Sequence, residues 1–131
     1  MDEQTTWTGK VYADLEHGVK TGLQLKKGDI ITAIASGYVK FGVGPNQWAD
    51  PMTAIPPLEG NIWADRTALV ALIGDDPTIY PIGTGVLNWS VPTDGELTLR
   101  FNDNPKTYLD NSGSFDVTVQ KQRRVIVTFI D

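Results

Sequence analysis

Short runs in which apolar and polar residues alternate, each cut off by glycine or proline, leave this chain few folds to choose from. Leu97, Leu99 and Phe101 alternate with Thr98, Arg100 and Asn102; Phe115, Val117 and Val119 alternate with Asp116, Thr118 and Gln120; Leu87, Trp89 and Val91 alternate with Asn88 and Ser90. A period of two puts one side of each strand on a core. Residues 7–13, 29–36, 67–73, 78–82 and 124–130 are further β-rich runs, with turn clusters at 26–29, 74–77 and 92–95 between several of them. Thirteen glycines and eight prolines leave few windows in which a helical period survives. The pattern predicts an all-β sandwich.

The 131 residues fit a single domain spanning 1–131, with no linker and no repeat. A chain of this size buries roughly two thirds of the surface that its unfolded form exposes, so the core needs no covalent staple. There is no cysteine, which excludes disulfide scaffolds, thiolate zinc sites and a cysteine nucleophile. The net charge of −5 repels phosphate backbones and disfavours nucleic acid as a partner. Met1-Asp2-Glu3-Gln4 lacks the basic start and apolar run of a signal peptide, and the apolar run 68–73 is too short to span a bilayer. Cytoplasmic synthesis is therefore expected, with later release or cell-surface association by another route left open.

Two segments break the alternation. Residues 42–60 carry Pro45, Pro51, Pro56 and Pro57 and read as a long surface loop, a class that is often functional when ordered. Residues 102–114 concentrate oxygen ligands: Asn102, Asp103, Asn104, Asp110, Asn111 and Ser112. Calcium takes six to eight oxygens at about 2.3–2.6 Å from carboxylates, amides and backbone carbonyls. Pro105 and Gly113 would let the loop fold back so that Asp103 meets Asp110 and Asn111. Ordinary turns use the same residue types, and the spacing is no EF-hand, so composition leaves ion and turn both open.

The string Phe101-Asn102-Asp103-Asn104-Pro105-Lys106-Thr107-Tyr108-Leu109-Asp110-Asn111-Ser112-Gly113-Ser114-Phe115 resembles the calcium loop of the calcium-dependent galactose-binding bacterial lectins of the pseudomonad LecA (PA-IL) type. Similarity extends to residues 7–11, 28–32, 36–42, 68–70, 82–85 and 87–89, up to about Gln120. The resemblance implies a small jelly-roll-like β-sandwich (galactose-binding-domain-like), one calcium ion per subunit and a homotetramer. It implies metal ligands at the side chains of Asp103, Asp110 and Asn111 and at the backbone carbonyls of Phe41 and Thr107. Two neighbouring hydroxyls of a galactose-type glycan would complete the coordination. The sugar-binding positions it implies are Phe41, Pro56, Glu59, Asp103, Asn104, Thr107 and Asp110.

Departures from the family pattern fall around the sugar. A His-Pro-x-Gln-Gly stretch in the long loop corresponds here to Pro56-Pro57-Leu58-Glu59-Gly60, and the one histidine, His17, lies in a distant polar turn. Glu59 stands where Gln is usual, Asn104 where an apolar residue is common, Lys106 where glycine is common, and Asp110 where Asn is familiar. From about residue 121 the chain runs past the family's usual end as a basic stretch, 121–124, followed by the apolar run 125–130. An altered subunit contact, an added strand or a protected edge strand would each account for this extension.

Among the aromatics, Trp7 and Trp89 are expected in the core, while Trp48 and Trp63 flank the long loop as candidate walls of the site. Gly42-Val43-Gly44 and Gly83-Thr84-Gly85 precede no helix and read as turns, not phosphate loops. Asp75-Asp76-Pro77 could hold a second ion but reads more simply as a turn. A glycosidase using Asp103 and Asp110 would need an apolar pocket to raise the pKa of its acid, and this loop is polar throughout. Calcium-mediated attachment to anionic lipid would call for basic and apolar residues around the loop, where Lys106 and Leu109 supply one of each. The sequence therefore points to a lectin and not an enzyme, without membrane insertion. The alternative is a calcium-binding sandwich with shifted or lost sugar specificity, or one attaching to anionic membrane surfaces.

Overall fold

The computed structural model describes residues 4–41, 47–53, 67–103 and 108–122. The described strands, in chain order, are β1 (Thr6–Tyr12), β2 (Val19–Leu25), β3 (Ile30–Ser36), β4 (Val39–Lys40), β5 (Trp48–Ala49), β6 (Leu69–Ile73), β7 (Tyr80–Pro81), β8 (Gly85–Ser90), β9 (Gly95–Phe101) and β10 (Ser112–Lys121). They form two antiparallel sheets. The larger runs β5-β4-β10-β3-β8, with β1 also paired to β10; the smaller runs β2-β9-β6-β7. No helix among the described residues is long and apolar enough to cross a membrane.

The sheets meet through the alternating side chains. Val11, Ile31, Val39, Phe115, Val117 and Val119 from the larger sheet join Leu23, Leu25, Leu69, Leu97, Leu99 and Phe101 from the smaller in one buried cluster. Full burial of a side chain of this size contributes roughly 1.5–3 kcal/mol. Phe101 and Phe115 pack across the two sheets with ring centroids 6.2 Å apart. Trp7 and Trp89 are half-buried lids on this cluster, and Trp89 leans on Tyr80 at 5.3 Å.

Strand β10 is the spine. Its residues pair with all of β1, from Tyr12 opposite Ser114 to Thr6 opposite Gln120. On its other side it pairs first with β4, at Ser112–Lys40 and Gly113–Val39, and then with β3 from Asp116 onward. Gly113 occupies a left-handed conformation at φ 86°, and a Cβ there would approach the Tyr38 carbonyl to 3.1 Å. Only glycine satisfies both conditions without strain.

Two expectations need correcting. Leu87, placed by alternation on the core side, is 79% exposed. Between the Ile31–Trp89 and Ala33–Val86 pairs, β8 spends three steps against two on β3, with Asn88 at φ 51°. That β-bulge turns Val86 and Trp89 inward and Leu87 outward, and a period-two reading cannot see an inserted residue. The segment read as loop from 42 to 60 also contains β5, which pairs with β4 at Lys40–Trp48 and Val39–Ala49. Strand β2 was not expected at all. Its Val19, Thr21, Leu23 and Leu25 alternate, but Thr21-Gly22 resembles a turn, and Gly22 does sit at φ 79° within a register shift against β9. The apolar run 124–130 lies outside the described residues.

Candidate metal and carbohydrate site

The larger sheet leaves three chain segments side by side at one end: the exit of β4, the entry of β10 and the segment that follows β9. Tyr108–Asp110 forms a single 3-10 turn that leads into β10. A lone aromatic in a polar loop needs a reason, and here Tyr108 is an anchor. It is buried; its hydroxyl donates to the Phe101 carbonyl at 2.7 Å and accepts from the Asp103 N–H at 3.1 Å. Burial pushes its phenol up to about 12, so it stays neutral at any physiological pH. The loop is thereby closed on itself, with Asp103 held against the turn that presents Asp110 and Asn111.

Asn111 decides the chemistry. It is 6% exposed, and its amide nitrogen donates to the Ala13 carbonyl at 2.9 Å and to Asp103 Oδ2 at 2.8 Å. Both partners are acceptors, so a flipped amide would set oxygen against oxygen; the orientation is fixed by the network. The consequence is that Asn111 Oδ1 is buried with no hydrogen-bond donor. Leaving a buried acceptor unsatisfied costs about 1–3 kcal/mol, and in folded proteins such an atom is commonly explained by a missing water or ion. Here it lies next to a carboxylate. The register of β10 with β4, continued one step beyond Ser112–Lys40, brings Phe41 opposite Asn111. Phe41 N–H is used by the Gln47 carbonyl at 2.9 Å.

Of the positions expected from sequence, Asp103 and Asn111 are in direct contact, Asp110 immediately precedes Asn111 and is exposed, and Phe41 lies across the strand pair. Thr107, Asn104, Lys106, Pro56, Glu59 and Trp63 lie outside the described residues. Asn102, counted among the oxygen ligands, is a strut: it is fully buried, its N–H donates to the Ala68 carbonyl at 2.8 Å and its amide nitrogen to the Thr67 carbonyl at 3.4 Å. Sequence reasoning missed Ala13, whose carbonyl orients Asn111 from ninety-eight positions away. No local pattern announces a backbone contact of that kind.

A groove of about 390 Å³ is lined by Thr6, Ile30, Thr32, Asn88, Gln120 and Lys121. It lies toward the other end of β10, about 30 Å along the strand from Asn111 at the usual rise per residue. The uncompensated acceptor beside a carboxylate is the stronger guide, because a hollow can hold water at no cost whereas a buried orphan atom cannot persist unpaid. Among the described residues, no group of three or more His, Asp and Glu side chains comes together. What the described residues bring together here is oxygen chemistry: the Asp103 carboxylate against the Asn111 amide, with the exposed Asp110 next in the chain.

Known proteins share this chain's sequence and fold. A family model described as "PA-IL-like protein" matches residues 6–124. The chain belongs to the PA-IL-like family. It is similar to "Lectin A" of Photorhabdus laumondii subsp. laumondii, with 46% identity over 115 residues that cover 86% of this chain and 89% of that protein. It is also similar to a solved structure described as "EclA N-terminal domain; PllA-like lectin". That match has a TM-score of 0.77 and 39% identity, over 92% of this chain and the whole of the other. Membership of the PA-IL-like family makes the protein a carbohydrate-binding lectin and not an enzyme.

Proposed function

We propose that the protein is a calcium-dependent lectin for glycans ending in galactose-type sugars. The observation that carries this reading is the fixed Asn111 amide, whose buried, unpartnered oxygen stands beside Asp103. The residues that would hold the ion are Asp103, Asp110 and Asn111 through side chains, with Phe41 and Thr107 through carbonyls. Two carboxylates balance a divalent charge, and a hard cation accepts neutral hydroxyl oxygens as further ligands. When bound, calcium would supply a Lewis-acidic anchor for two adjacent sugar hydroxyls. Asp103 also accepts a hydrogen bond from one of those hydroxyls in this reading, which sets the ring's orientation. Pro56, Glu59 and Asn104 are proposed to line the remainder of the sugar. Tetrameric assembly would convert a weak single site into useful avidity through effective concentration.

The test is a glycan array run in parallel with calcium and with EDTA, on wild type and on Asp103→Ala. Signal on terminal galactosides that EDTA removes is the expected result, with Asp103→Ala silent throughout. If Asp103→Ala kept wild-type binding, the site assignment would be wrong. Calcium-dependent signal confined to other sugars would retain the ion and overturn the galactose preference.

A further inference from the structure

Beside the candidate site, the outer face of the larger sheet carries aromatic surface that the core does not use. Trp48 is 56% exposed and Tyr38 67% exposed, although both are large apolar side chains. Trp48 stands directly opposite Lys40 in the β4–β5 pair, and the Lys40 ammonium lies 6.0 Å from the centre of its ring. Tyr38 precedes β4 two residues before Lys40, on the same side of the pleat, because the intervening Val39 points into the core. Trp48 and Tyr38 are therefore diagonal neighbours, a relation that places side chains about 7–8 Å apart. Ser112, exposed and opposite Lys40, continues the row toward Asn111. The patch begins one residue from Phe41 and Asn111.

We infer that Trp48 and Tyr38 form a stacking platform for the sugar rings that follow the terminal residue of a bound oligosaccharide. This rests on the proposed galactose reading of the neighbouring site. A pyranose ring has an apolar face of C–H groups and a rim of hydroxyls, and two tilted or stacked aromatic faces with hydrogen-bonding groups between them match that chemistry. Lys40 donates to ring hydroxyls from its position over Trp48, and the Ser112 hydroxyl both donates and accepts. A solvent-exposed Trp with a cation on one side keeps its other side open for such contact. Continuity with the terminal-sugar site distinguishes this patch from the exposed Leu87 and Ile34, which lie on the β3–β8 side of the same sheet.

Calorimetry on the full chain tests it, with methyl galactoside and two galactose-terminated trisaccharides, one α-linked and one β-linked, in calcium. The readout is the ratio of trisaccharide to monosaccharide affinity. At least one trisaccharide is expected to bind wild type about tenfold tighter, with Trp48→Ala lowering that ratio about fivefold, Tyr38→Ala somewhat less and Trp48→Phe retaining most of it. Circular dichroism on each variant establishes that it is folded, and Trp48→Phe covers the case in which Trp48→Ala is not. A ratio near one in wild type, or a wild-type ratio in both alanine variants, would overturn the platform. So would a changed sedimentation coefficient with an unchanged ratio, which would make the patch a contact between copies. No binding of any galactoside by wild type is a different failure: it removes the galactose reading first and the platform with it.

Discussion

Two acidic loops in this protein look alike as sequence and behave differently as structure. In the turn at 74–80, Asp76 Oδ1 accepts the Thr78 N–H at 3.0 Å and Oδ2 accepts the Tyr80 hydroxyl at 2.6 Å, so the carboxylate is satisfied by its own loop. In the loop that ends at Asn111, a tyrosine hydroxyl is again present, but it bonds the backbone at Phe101 and Asp103 and leaves the side chains to one another. The first arrangement is an Asx turn that needs nothing further. The second carries a buried acceptor without a donor. Whether an acidic loop is a turn or a ligand set is decided by where its donors go, and composition is silent on that.

Metal removal should separate the two loops most sharply. Calcium at a hundredfold excess over its dissociation constant is expected to stabilise wild type by about 2.7 kcal/mol, read as a raised Tm that EDTA reverses. Asn111→Ala should abolish that rise, while Asp76→Ala should leave it intact. A calcium-dependent Tm in Asn111→Ala equal to that of wild type would assign the ion elsewhere. Next in size is Tyr108→Phe, which strips the donor from the Phe101 carbonyl and the acceptor from the Asp103 N–H. A loss of about 1–3 kcal/mol in denaturant unfolding is expected, together with weaker calcium binding. Stability lost with calcium affinity unchanged would mean that Tyr108 supports the sheet and not the loop.

The smallest effect concerns the satisfied loop. The Tyr80 hydrogen bond, with help from Thr78, holds the Asp76 carboxyl below its ordinary value. A folded-state pKa depressed in this way adds stability above the unfolded pKa, and the gain disappears as pH falls through the folded one. Tyr80→Phe should move the Asp76 titration upward in an NMR pH series, with little change in neutral-pH stability because the half-buried carboxylate stays open to water in a surface turn. No upward movement would mean that the Tyr80 bond does not form in solution.

Much of this was legible beforehand. The runs at 97–101 and 115–119 announced β9 and β10 because each keeps strict alternation on one buried face, and the motif from Asp103 to Ser114 announced the loop. Leu87 was misplaced because an inserted residue resets the phase of a strand without changing its composition. β2 was passed over because its glycine, which serves a register shift, reads as a stop. Within the site, the meeting of Asp103 with Asn111 was readable, but the direction of the Asn111 amide was not. That direction is set by the Ala13 carbonyl and by Asp103 together, and each contact is a product of the finished fold.

That bond to Ala13 ties the site to chain-wide topology. Ala13 follows β1 and Asn111 precedes β10, so the amide can point correctly only when the first and last described strands of the molecule have found their register. A peptide carrying the loop alone would lack the constraint. Occupancy of the loop would consequently resist global opening and not merely local fraying, slowing amide exchange along β1 as well as in the loop itself.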